Sequence, residues 1–192
     1  MSLVNPIIYK YMCTTATNLI TLPLDITQTK ILNTDTTNIN VDEIKWLLLF
    51  PLIFTSQNII YNNLSFIKSN ALRGAITGII STPVYIFLET RKLYSRINDY
   101  PRLLIYTRWI ILRQVLFYSI LYKISNLNIY YSKFLSALVA NTAGFPIKII
   151  ALKNSYNSFI INKKTFRLTA MIEILKSSIS DGLALYLLYL PN

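Results

Sequence analysis

Ionisable residues stand inside long apolar runs of this chain. Arg108 and Arg113 lie in one run, Lys176 and Asp181 in another, and Asp25 in the stretch ITLPLDITQTKIL that begins at Ile20. Charge inside an apolar segment is costly and is retained where it meets a partner or a ligand. The chemistry open to these groups is binding by charge and hydrogen bond. Arg113, followed by Gln114, suits an anion, because a guanidinium presents a planar fork of N–H donors to a carboxylate or phosphate. An alternative is that Arg113 pairs with Asp181 and locks the segments that carry them. Lys176, Ser177 and Asp181, with Ser178 and Ser180 among them, form a second polar cluster.

Catalysis is not expected. The chain has no histidine, so a His-based triad is excluded. Its single cysteine, Cys13, makes no internal disulfide and no zinc site of the usual Cys/His spacing. No carboxylates cluster. The chain therefore reads as non-enzymatic, with no cofactor and no metal.

These groups must be positioned by apolar elements. Hydrophobic residues make up 53% of the 192 and charged residues 14%, against about a quarter charged in a soluble domain. Mean hydropathy is +0.43. The net charge of +11 does not point to nucleic acid, since the basic residues lie between apolar runs and not on one soluble face. Six apolar segments, at 6–30, 46–67, 71–93, 103–127, 130–153 and 168–190, predict six membrane-spanning helices, each near the ~20 residues a bilayer requires. Their Asn, Ser, Thr and Tyr content fits a bundle with a polar interior.

The connections alternate. That at 33–45 is polar and turn-rich, that at 91–102 short and basic, and that at 154–167 polar and basic; those around Lys68-Ser69-Asn70 and Asn126-Leu127-Asn128 are very short. Three hairpin-like pairs result, with repeats at about 1–68, 69–127 and 128–192 of a single domain. Pro23, Pro83 and Pro146 recur at near-equal spacing, each late in an odd-numbered segment. Small or short polar residues precede each: Thr14 and Asn18, Gly74 and Gly78, Ala137 and Asn141. Gly74 and Gly78 form a G-x-x-x-G, the spacing at which two helices approach closely. A cation trails each proline: Lys30, Arg91 and Lys153. Each repeat thus predicts a contact strip, a proline kink and a basic end.

This pattern resembles the mitochondrial carrier family. The signature of that family, Pro-x-Asp/Glu-x-x-Lys/Arg, is matched in part by Pro23-Leu24-Asp25, with Gln28 at the first cation position. Pro83 and Pro146 keep the proline, with Tyr85 and Lys148 at the acid positions and Leu88 and Ala151 at the partner positions. Arg113-Gln114-Val115-Leu116-Phe117 is similar to the family's Arg-x-Val-Pro-Phe, with leucine for proline. The resemblance implies an all-α membrane protein of six transmembrane helices in three pseudo-symmetric two-helix repeats. It implies alternating-access transport of a small metabolite, anionic if Arg113 contacts it. Arg113, Gln114, Lys176, Ser177 and Asp181 are the expected substrate contacts. The family's network of three gate pairs cannot form here; one pair across the axis, Asp25 with Lys148, is the expected gate. The loops at 33–45 and 91–102 do not carry the surface helices the family places there.

The longer loops and adjoining ends hold twice the Lys/Arg of the opposite side. The positive-inside bias places them on the matrix side of a mitochondrial inner membrane, with both termini opposite. The expected partners are the lipid bilayer and a small-molecule metabolite. The second reading is a carrier-fold scaffold or subunit of a larger membrane complex that no longer transports.

Overall fold

A computed structural model describes residues 6–32, 41–93, 100–127, 131–155 and 163–188. The chain is all-α. Its six helices are α1 (Pro6–Leu32), α2 (Val41–Asn63), α3 (Asn70–Leu93), α4 (Tyr100–Ser125), α5 (Ser132–Ser155) and α6 (Lys163–Leu188). One helix falls on each expected apolar segment.

The starts of α2, α4 and α6 lie upstream of the apolar runs. The first turns, Val41-Asp42-Glu43, Tyr100-Pro101-Arg102 and Lys163-Lys164-Thr165, are polar or charged, so hydropathy does not register them. The expected 33–45 loop therefore gives up Val41–Lys45 to α2. Proline opens α1 at Pro6 and follows the first residue of α4 at Pro101. There its missing N–H has no intrahelical bond to lose. Ser69 caps α3: its Oγ accepts the Leu72 N–H at 3.3 Å and its carbonyl accepts the Arg73 N–H at 2.9 Å.

Each helix packs on its neighbours in chain order, and α1 closes on α6. The helices form a ring whose spatial order is the order along the chain. Two contacts in that ring are very close. A Cβ added at Gly74 would overlap the Tyr118 carbonyl of α4, and one at Gly78 would sit 2.6 Å from the Gln114 carbonyl. The backbones of α3 and α4 touch along this strip. At Gly182 of α6, a Cβ would meet the Phe134 ring of α5 at 2.6 Å. A hydrophobic cluster of Tyr61, Phe117, Tyr118, Leu121, Tyr122 and Leu185, with Ala137 and Ala140 from α5, fills one part of the interior.

A second apolar cluster, Tyr106, Ile110 and Ala151 with Trp109 and Ile149, packs between α4 and α5, and much of the remaining interior is polar. Among the described residues, buried polar and charged side chains outnumber buried hydrophobic ones; they include Thr17, Gln57, Asn58, Thr77, Arg113 and Glu173. Large apolar side chains face outward instead, among them Met12, Ile20, Ile80, Phe87, Leu138 and Met171, the last 70% exposed. A water-soluble bundle buries its apolar stripe and solvates its polar one. Here the assignment is reversed.

Two helical stretches among the described residues are long and apolar enough to cross a membrane, Leu103–Ser125 and Ser132–Ala151. The sequence led us to expect six. In α1, α3 and α6 the interior-facing Thr, Ser, Asn, Gly and charged residues lower the average that such a test measures. Pro23, Pro83 and Pro146 all lie inside their helices, on exposed positions, and Pro51 is a fourth interior proline, buried in α2.

Candidate functional site

A cavity of about 110 Å³ lies within the ring. Five helices wall it: Thr17 and Asn18 from α1, Gln57 from α2, Tyr85 from α3, Tyr118 from α4 and Asp181 from α6. The chain reaches this arrangement because polar residues recur on one face of each helix. Thr14, Thr17 and Thr21 return every three to four residues, the spacing that stacks side chains on one side of a helix.

Asp181 is the carboxylate in the wall. Its Oδ2 accepts from Asn141 Nδ2 at 3.0 Å, and the same amide donates to the Ala137 carbonyl at 2.9 Å. Ser180 Oγ donates to Asn18 Oδ1 at 3.0 Å, joining α6 to α1. Gln57 Nε2 donates to Ser81 Oγ at 3.1 Å, joining α2 to α3, while Gln57 Oε1 is buried with no hydrogen-bond partner.

Charges gather toward the long-loop end of the bundle. Lys148 Nζ of α5 stands 2.8 Å from Glu173 Oε1 of α6, and Lys176 Nζ stands 3.3 Å from Glu173 Oε2. One carboxylate thus holds two ammonium groups. Glu173 precedes Asp181 by eight residues, roughly 12 Å at ~1.5 Å per residue, so this cluster sits below the cavity. The Asp25 side chain lies outside the described residues, and with it the expected Asp25–Lys148 pair.

The short-loop end is closed by an aromatic network. Tyr61 stacks on Tyr122 with ring centroids 3.6 Å apart. Its hydroxyl donates to Asn70 Oδ1 at 3.0 Å and accepts from Asn126 Nδ2 at 3.2 Å. Arg73 lies over the Tyr61 ring at 4.0 Å and donates to the Tyr61 carbonyl at 2.7 Å. Tyr61 and Tyr122 each follow a wall residue, Gln57 and Tyr118, by one helical turn. Lys10 Nζ adds a bond to Asn58 Oδ1 at 2.7 Å, tying α1 to α2.

Arg113, the expected anion contact, is buried but is not part of the cavity wall. Its Nη1 donates to the Tyr85 hydroxyl at 3.2 Å, and its guanidinium carbon lies 5.5 Å and 5.6 Å from the Tyr85 and Phe117 ring centroids. The Arg113–Asp181 ion pair that sequence left open is not among the ion pairs of the described residues; Asn141 is the partner of Asp181. Gln114 is buried on the α3 side, with Nε2 unpartnered. Ser177 is half-buried beside the Lys176–Glu173 pair on α6. The structure therefore brings Lys148 and Lys176 together on Glu173, and neither makes an ion pair with Asp181.

Glu173, Gln57 and Asn141 carry this site, and sequence reasoning did not place them there. A signal existed for Glu173: it precedes Lys176 by three residues, the spacing of an intrahelical ion pair. No protein family, curated protein or solved structure matches the chain.

Proposed function

We propose that this chain is a membrane-embedded, carrier-like transporter of a small polar metabolite. In this reading the six helices span a bilayer as three two-helix repeats around the cavity. The observation that carries it is the reversed polarity of the ring, with apolar side chains outside and polar ones inside. Lipid solvates such an outer face at no cost, whereas contiguous exposed apolar patches on a soluble protein mark contact sites. The closed ring supports it further, because a solute path through a bilayer must be lined by protein on all sides.

The layered interior suggests how transport proceeds. The Tyr61 network closes one side of the cavity and the Lys148–Glu173–Lys176 cluster the other. Opening one while the other holds would expose the cavity to each side in turn, as in transporters whose sites lie near the bilayer midplane. Placement in a mitochondrial inner membrane, with both termini opposite the matrix, follows from loop charge and from the proline-centred resemblance. In each odd helix the proline is exposed and the small residues nine and five positions before it are buried or half-buried, the pattern on which the reading of three repeats rests.

The test is uptake of labelled solutes into liposomes reconstituted with the purified chain and counter-loaded with unlabelled solute. Saturable exchange supports the reading; release of the protein from membranes by alkaline carbonate would end it.

A second reading, a non-transporting scaffold within a larger membrane complex, has one observation in its favour. The partner positions of the three proline motifs hold Gln28, Leu88 and Ala151, so the charge pairs of the family's gate are not all available. Stable co-purification with a larger assembly, without exchange activity, would favour the scaffold.

A further inference from the structure

Several hydroxyl protons of the cavity wall are committed elsewhere, while the Asn18 amide nitrogen and the Tyr118 hydroxyl remain as donors. Thr14 Oγ1 donates to the carbonyls of Lys10 and Tyr11, both at 3.0 Å, and Thr17 Oγ1 donates to the Thr14 carbonyl at 2.9 Å. What these hydroxyls leave for the cavity is lone pairs. Ser180 spends its proton on Asn18. Ser81 Oγ donates to the Gly78 carbonyl at 3.3 Å, so it can only accept from Gln57. That fixes the Gln57 amide: the nitrogen faces Ser81, and Oε1, buried and unpartnered, is an acceptor. Asn141 is fixed in the same way, since both its bonds run to oxygens, Asp181 Oδ2 and the Ala137 carbonyl. Asp181 keeps a second oxygen without a partner among the described residues.

A buried acceptor without a donor costs about 1–3 kcal/mol. A wall that sets one such acceptor, Gln57 Oε1, beside the Asp181 carboxylate suits a ligand that carries donors and positive charge. An ammonium group offers three N–H donors, a positive charge and no acceptor. An anion would meet the Asp181 carboxylate, the charged group of the wall, with the Asn18 amide and Tyr118 hydroxyl as donors to set against it. The one guanidinium nearby, Arg113, is turned into the Tyr85 hydroxyl and lies outside the wall.

We propose, building on the reading of this cavity as a solute site, that it binds a small primary amine in its ammonium form. Asp181 supplies the counter-charge, and Gln57 Oε1 with the Thr14 and Thr17 oxygens supplies the hydrogen-bond acceptors. At about 110 Å³ the cavity takes a short-chain amine and excludes a nucleotide.

The test is calorimetric titration of the full chain in detergent with methylammonium and ethanolamine, against acetate, phosphate and ethylene glycol. The expected result is saturable binding of the two amines and none of the three comparators. Asp181→Asn keeps the shape and the Asn141 bond and removes the charge; amine affinity falls about tenfold or more, the worth of a charged hydrogen bond. Gln57→Glu puts a second negative charge in the wall and tightens amine binding by a similar factor, so it decides the matter if Asp181→Asn does not fold. Absence of amine binding by the folded wild type, or affinity unchanged in both variants, overturns the proposal. Liposome uptake separates this from the transport reading. Asp181-dependent amine binding without uptake leaves the amine site standing and removes the transporter; exchange of anions alone leaves the transporter and removes the amine site.

Discussion

Lys148 Nζ lies 2.8 Å from Glu173 Oε1, with only 11% and 7% of the two side chains exposed. The pair joins α5 to α6 just below the cavity, and Lys176 holds the other Glu173 oxygen. Removing one member of a buried pair strands the other, which costs about 3–5 kcal/mol, whereas replacing both by apolar residues of similar volume is near neutral. Glu173→Leu should therefore lower the melting temperature sharply in detergent. The double variant Lys148→Met with Glu173→Leu should recover part of the loss, the remainder being Lys176 without the Glu173 carboxylate. A double variant no more stable than the single one would show that the pair has no mutual dependence.

Outer-face substitutions distinguish lipid from water directly. Ile80 is 52% exposed on α3. On a water-facing helix, Ile80→Lys would change stability by about 0.5 kcal/mol or less. At the centre of a lipid-facing helix it should cost about 2.5–3.5 kcal/mol of insertion free energy. The readout is the membrane-integrated fraction after translation into microsomes, with Leu138→Lys on α5 as a second position.

The α3–α4 strip should tolerate no side chain. Gly74→Ala places a methyl into the Tyr118 carbonyl, and backbone cannot rotate away as a side chain can. A loss of about 1–3 kcal/mol is expected, as for other overpacked contacts. Gly144→Ala is the control: its nearest neighbour is the flexible Arg113 Cγ at 3.4 Å, an ordinary contact, so its melting temperature should stay near wild type.

Arg113 and Tyr85 should act as a unit. Tyr85→Phe removes the acceptor of the Arg113 Nη1 bond and keeps the ring. A hydrogen bond to a charged group is worth about 1.5–3 kcal/mol, so this variant should be measurably less stable. Arg113→Ala in the Tyr85→Phe background should then cost less than in wild type. Thermal unfolding of the four-member cycle gives the coupling; a coupling of zero would dissolve the assignment.

Element number and type were legible in the sequence because each helix carries one dominant apolar run. Their first turns were not, since Val41-Asp42-Glu43 and Lys163-Lys164 contribute nothing to hydropathy. The small-residue strip at Gly74 and Gly78 could be read directly, because close approach needs the absence of a side chain and glycine states that absence. Partner choice could not be read. Arg113 meets Tyr85 across the α3–α4 contact, and Asp181 meets Asn141 across the α5–α6 contact. Sequence offered Arg113 and Asp181 to each other only because they were the two conspicuous opposite charges. Gln57 was invisible for a similar reason: an amide in an apolar run looks like tolerated polarity until its neighbours show that its oxygen has been left over.

The closure of α1 on α6 also sets a schedule. Asn18 waits for Ser180, 162 residues later in the chain. At synthesis rates of about 5–20 residues per second, that interval is roughly 10–30 s. The Thr14 and Thr17 hydroxyls need no such wait, since each donates to a carbonyl of its own helix. If the chain enters a bilayer as it is made, the Asn18 amide is the group of α1 that needs a polar neighbour until α6 arrives.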